Sequence, residues 1–144
     1  MNNTGRLFIA ALLVSLITGC TSTTQFVPFP NQATQVDNTK TRIYVARPTV
    51  VGGAIPMTVC DGGQLIGKTG PKSYLCWERA AGQVNITSKA ENKAELSINA
   101  EPGKVYYVQQ HVRMGFLYAR NKLTLLNEAE GKDMVSKCSP PEQQ

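Results

Sequence analysis

From Arg42 onward this chain alternates apolar and polar residues in short runs broken by turn formers, a pattern that leaves little room for anything but sheet. Val84 and Ile86 fall on one face of the run Gln83–Ser88, with Asn85, Thr87 and then Lys89 on the other. Ala94, Leu96, Ile98 and Ala100 repeat the arrangement against Glu95, Ser97 and Asn99. Successive side chains of a strand point to opposite faces, so a period of two buries one face and leaves the other wet.

The remaining runs extend the pattern. Ile43–Ala46 reads as a strand ended by Arg47-Pro48, because proline cannot donate to a ladder. Met57–Cys60 and Gln64–Gly67 flank Asp61-Gly62-Gly63, which tolerates the positive φ that tight hairpin turns demand. Ser73–Arg79 and Gln83–Ser88 are separated by Ala80-Ala81-Gly82, read as a second tight turn. Glu101-Pro102-Gly103-Lys104 places proline and glycine where a type II turn wants them. Val105–Met114 is the longest strand. It carries Tyr106, Val108, Val112 and Met114 on one face and Tyr107, Gln109, His111 and Arg113 on the other. Leu123–Leu126 follows, and Asn127 with Glu130 three residues on predicts a capped helix, kept short by Gly131. The expectation is an all-β, small antiparallel β-sandwich of about seven strands with a short C-terminal helix. It occupies residues 42–138, with a disordered tail over 139–144.

The N-terminal part has a different texture. A single cation, Arg6, precedes an apolar run from Leu7 to Ile17 that closes on Thr18-Gly19-Cys20. A membrane-spanning helix needs about 20 apolar residues and a secretory apolar region about 7–15, so the run fits a cleaved signal. Ile17-Thr18-Gly19-Cys20 resembles the lipobox of bacterial lipoprotein signal peptides, in which the cysteine is acylated and becomes the first residue after cleavage. The resemblance implies a signal peptide over 1–19, lipidation at Cys20 and a membrane partner held through that lipid. Thr21, where aspartate would signal retention, implies the outer membrane, facing the periplasm. Residues 20–41 then read as lipidated cysteine and flexible tether. Within it, Phe26-Val27-Pro28-Phe29-Pro30 is expected to dock on the chain's own domain.

The formal net charge is +5, but Lys and Arg are scattered without a block. Nucleic-acid binders concentrate their cations, so no nucleic-acid partner is expected. An envelope protein or peptidoglycan is the candidate partner. With Cys20 acylated, Cys60, Cys76 and Cys138 permit at most one internal disulfide. Cys60 and Cys76 fall in neighbouring predicted strands and are the candidate pair, with Cys138 able to compete for either and burial as free small hydrophobes the alternative. No metal or cofactor pattern is present, since His111 is the only histidine and the cysteine spacing matches no zinc site. Asp61 lies in a turn and the other carboxylates lie on outward faces, so no acid–base pair is visible. The chain reads as a non-enzyme, with an envelope hydrolase using His111 as a lesser alternative. In Gly115–Asn121, Phe116, Leu117 and Tyr118 stand between Arg113 and Arg120 in a predicted loop. Aromatics beside arginine suit an interface, and basic aromatics suit a membrane surface. Loops that cross the end of a sandwich usually bury something, however, so closing that end is the plainer expectation for Phe116 and Leu117.

Arg42-Ile43-Tyr44-Val45-Ala46-Arg47-Pro48, the Asp61-Gly62 hairpin, the Ser73-Tyr74 strand, the Gly82 turn, Pro102–Val108, Met114-Gly115 and Lys122–Leu125 stand in the order typical of one family. Together they resemble the domain-of-unknown-function 2846 family of bacterial exported proteins and lipoproteins, over nearly all of residues 42–137. The resemblance implies a sandwich of the carboxypeptidase-regulatory or transthyretin-like kind and no known activity. Arg79 with Ala80-Ala81 departs from the family's usual pattern, as do the three mature cysteines. The reading is a lipid-anchored envelope protein acting as a binding or structural module, or a subunit of a larger outer-membrane complex.

Overall fold

The period-two runs do form strands. A computed structural model describes residues 35–52, 55–117 and 119–140. The strands are β1 (Lys40–Arg47), β2 (Met57–Asp61), β3 (Gln64–Thr69), β4 (Ser73–Ala80), β5 (Gly82–Lys89), β6 (Lys93–Ala100), β7 (Val105–Met114) and β8 (Ala119–Leu126). One helix, α1 (Glu128–Ser136), follows. The strands make two four-stranded sheets, β4-β1-β7-β8 and β3-β2-β5-β6. Every pairing is antiparallel except β1 with β7. This is a small all-β sandwich with a short C-terminal helix.

The core lies where the inner faces meet, with Ile43, Val45 and Leu75 from one sheet against Val59, Val84, Ile86 and Ile98 from the other, and Trp77 at its margin. The inner face of β7 also carries Gln110, a polar residue in a fully buried position that the strand's alternation alone did not flag. The Thr69 hydroxyl donates to Gln110 Oε1, and Gln110 Nε2 donates to Ser88 Oγ at 2.5 Å. All three side chains are thereby satisfied away from water, as buried polar groups must be.

Three expectations are corrected. Ala80-Ala81-Gly82 is not a hairpin turn, because β4 and β5 lie in different sheets. Gly82, at φ 123°, turns the chain from one layer to the other. The domain is also wider than 42–138: β1 starts at Lys40, Val36 is buried, and Ser139 bridges to Ser73. The third correction concerns the outer face of β4-β1-β7, which is dry where α1 covers it. Tyr44, Ala46, Tyr74, Cys76 and Tyr107 pack there under Met134 and Val135 of α1. Tyr44 and Tyr107 stack with ring centroids 5.2 Å apart. Asn127 caps the helix as expected, its side chain accepting from Glu130 N at 2.9 Å. Gly131, which weakens helix propensity, lets α1 touch the sheet: a Cβ there would lie 2.1 Å from Tyr107 Cγ. Glycine is the contact point, and tertiary packing outweighs propensity.

The remaining turns follow their chemistry. Gly62 and Gly63, at φ 56° and 86°, supply the two positive values of a primed hairpin turn. Gly103, at φ 73°, supplies the one that a type II turn requires. The β1 start and the β7 start share one end of the sandwich, where Gly103 N donates to Lys40 O at 2.7 Å. The parallel β1–β7 pairing carries the end of β7 and the β7–β8 connection to the opposite end.

Candidate functional site

At that opposite end the chain holds apolar side chains out into water. Phe116 is 93% exposed and Leu117 71%, with Met114 beside them at 75%. They do not close the end of the sandwich, which corrects the plainer expectation. The end is closed instead by Arg47 and the 48–52 and 55–56 segments. Arg47 is fully buried, and its Nη1 and Nη2 donate to Ile55 O at 2.7 Å and Val51 O at 2.9 Å. Burial lowers the pKa of this guanidinium from its ordinary value. Gly52 fits beneath it at φ 84°, with Val112 Cγ1 only 2.9 Å from where a Cβ would stand.

The exposed tip is fixed from the other sheet. Glu91, in the β5–β6 turn, accepts hydrogen bonds from Phe116 N at 3.1 Å and Leu117 N at 3.2 Å. Glu91 N donates in turn to Ala119 O at 3.1 Å. Asn92 clasps the next residues: Asn121 N donates to Asn92 Oδ1 at 2.7 Å, and Asn92 Nδ2 donates to Asn121 O at 2.9 Å. Gly115 leaves room for the Glu91 carboxylate: a Cβ there would stand 2.1 Å from Glu91 Oε2 and push that side chain aside. The sequence reading passed over Glu91 and Asn92, since a polar pair in a hairpin turn looks like ordinary solvated loop. Only the pairing of turn to tip across the two sheets reveals their role. Beside the tip runs a groove of about 820 Å³, lined by Ile55, Pro56, Thr58, Lys89, Ala90, Glu91 and Leu117.

On the outer face of β7 and β8, next to the tip, Arg113 stands directly opposite Arg120 and His111 opposite Lys122. Like charges directly across a strand pair are destabilising. Among the described residues no carboxylate forms an ion pair with any of the four. Partial burial, then Lys122 and Arg113, lower the His111 pKa. His111 is thus half-buried, kept neutral and surrounded by cations rather than oriented by a carboxylate.

The other sequence candidates are placed as follows. Cys20 and Tyr118 lie outside the described residues, as do the Phe26–Pro30 segment and residues 1–19. Arg120 is exposed at the base of the tip. Cys60 and Cys76 are not bridged, and neither they nor Cys138 form a disulfide. Cys76 is buried beneath α1 on the outside of one sheet, while Cys60 alternates with core-facing Val59 in the other, so the hydrophobic core separates them. Burial pushes the Cys138 thiol up to about 11. Asp61 proves to be buried rather than a free turn carboxylate. It accepts from Trp77 Nε1 at 3.0 Å and from Arg79 Nη1 at 2.6 Å. Arg79 is therefore the partner of a buried acid. Among the described residues no cluster of three or more His, Cys, Asp or Glu is placed to hold a metal ion, and no helix is long and apolar enough to cross a membrane.

No family model matches the chain. An uncharacterized protein of Haemophilus influenzae is 26% identical over 98 residues, which cover 67% of this chain. The chain spans 58% of the length of that relative.

Proposed function

We propose that this protein is a lipid-anchored component of the bacterial cell envelope whose sandwich is a binding module facing the periplasm. The observation that carries the binding half is the tip. Phe116 and Leu117 are held in water by two hydrogen bonds to Glu91, and a fold gains nothing by fixing apolar side chains in solvent. The anchoring half is supported by the sequence from Arg6 to Cys20, with acylation at Cys20 and Thr21 favouring the outer membrane. Membership of the domain-of-unknown-function 2846 family belongs to the same proposal, on the ordered residues quoted above.

Metabolic labelling with a clickable fatty acid tests the anchor: label is expected in the wild type and lost in Cys20→Ser, and an unlabelled wild type refutes it. A subunit of a larger outer-membrane complex is the second reading, favoured by the same exposed tip. Crosslinking in cells from Leu117 separates the two, since a stable complex gives one stoichiometric partner. Hydrolysis through His111 ranks below both, because its neighbours Lys122 and Arg113 offer it no acceptor. Turnover of any envelope polymer that His111→Ala abolishes would reverse that order.

A further inference from the structure

We propose that the β7–β8 tip and the cationic face beside it are a contact surface for an anionic phospholipid bilayer. Phe116 and Leu117 enter the headgroup region, and Arg113, Arg120 and Lys122 bind lipid phosphates. The proposal rests on the tip being a contact surface and names what it contacts. Three observations carry it. The apolar element projects from the end of the sandwich, with Met114, Phe116 and Leu117 all largely exposed and Leu117 also forming one wall of the adjacent groove. A protein partner must offer a matching cavity to such a projection, whereas a bilayer opens around it. The cations face outward from the sheet at its base, Arg113 directly opposite Arg120 and Lys122 opposite His111, and lack a carboxylate partner among the described residues. A layer of phosphates relieves the Arg113–Arg120 repulsion and pairs with Lys122 beside it, and apolar groups beside Lys and Arg are what interfacial binding uses. Finally, Glu91 fixes the backbone of the tip beforehand, so insertion orders little that was not already ordered.

The reach of the chain permits the contact even with Cys20 in the same bilayer. Gln35 leaves the domain at the end opposite the tip, and β7, with 10 residues, spans about 33 Å. The backbone from Cys20 to Gln35 can extend to roughly 50 Å. Lipid at one end and tip at the other would lay the sandwich along the membrane. That is the two-signal anchoring in which a basic patch supplements acyl chains.

The test places a reporter in the tip of the full-length chain. Phe116→Trp, with Leu117→Trp as a second reporter in the same loop, is reconstituted into vesicles of brominated phosphatidylglycerol or brominated phosphatidylcholine. Buried Trp77, hydrogen-bonded to Asp61, is the unquenched internal reference. The expected result is quenching of the tip emission in phosphatidylglycerol alone, with the inserted fraction falling about fivefold for each of Arg120→Gln and Lys122→Gln. Absence of quenching in phosphatidylglycerol, or equal quenching in phosphatidylcholine, overturns the proposal. If quenching is absent while Leu117 crosslinks in cells to an acidic protein, the bilayer is wrong and the contact surface stands. If neither occurs, the binding-module reading falls as well, whatever the fatty-acid label shows at Cys20.

Discussion

Gly131 shows how a single residue can be read in opposite ways from sequence and from packing. Alanine gains about 1 kcal/mol of helix propensity over glycine in isolation. Here its Cβ would enter the Tyr107 ring, and forcing extra atoms into a packed contact costs about 1–3 kcal/mol. Gly131→Ala is therefore expected to lower stability by up to about 2 kcal/mol in urea titration, and a stabilised variant would show that α1 does not press on Tyr107. Asp61 is a second case. Asp61→Ala leaves the buried Trp77 Nε1–H without its acceptor, a loss of about 1–3 kcal/mol. Arg79→Gln leaves the buried Asp61 carboxylate without its cation, so it should cost about 1 kcal/mol or more although Arg79 itself is one-third exposed. A neutral Arg79→Gln would place the importance of the cluster in the Trp77 bond instead. His111 supplies a pH signature. Its folded pKa lies below the ordinary value of 6.5, so the unfolded chain takes up the proton first as pH falls. The stability it contributes is present above 6.5 and declines as pH drops from there through its folded pKa. His111→Gln should flatten that part of the stability–pH curve, and an unchanged curve would mean that neither burial nor the neighbouring cations hold its pKa down.

At the scale of elements, the β5–β6 turn and the β7–β8 tip behave as one unit although they belong to different sheets. Glu91→Ala removes the acceptor of Phe116 N and Leu117 N. Amide exchange at those two residues should rise roughly tenfold, with little change in the exchange of the β1 core. Uniform loosening of the whole sandwich would contradict the pinning. The paired cations make a separable prediction, because fold and function pull them in opposite directions. Arg120→Glu, opposite Arg113, converts a repulsive cross-strand pair to an attractive one and should stabilise the fold by about 0.2–1 kcal/mol. It should also abolish contact with anionic vesicles. Destabilisation by that substitution would indicate that Arg120 serves the fold.

For the whole molecule, the arrangement of layers decides the fate of the thiols. Cys60 on β2 and Cys76 on β4 are separated along the chain only by β3, yet the chain passes β2 to one sheet and β4 to the other. The mass of the native protein alkylated under non-reducing conditions should show no Cys60–Cys76 bridge. Cys138, held protonated by burial, should alkylate far more slowly than after unfolding.

Much of this was legible along the chain because strand alternation and turn chemistry are local. Val84 and Ile86 face the core wherever β5 sits, Gly62-Gly63 makes its hairpin from its own dihedral freedom, and Asn127 caps α1 within one helical turn. The proposed N-terminal signal and acylation at Cys20 rest on contiguous sequence alone. What the chain order could not specify is which strand enters which sheet, since Ala81-Gly82 fits a hairpin or a corner equally well. That choice separates Cys60 from Cys76, turns Tyr107 under α1, and brings Glu91 to the tip. It also leaves Phe116 in water, because the space a loop at that end would have filled is already taken by Arg47 and the segments it holds. Local pattern determined the elements of this protein and their buried faces. Tertiary packing decided its partners at a distance, because those contacts depend on the layer each strand joins and no short-range preference encodes that.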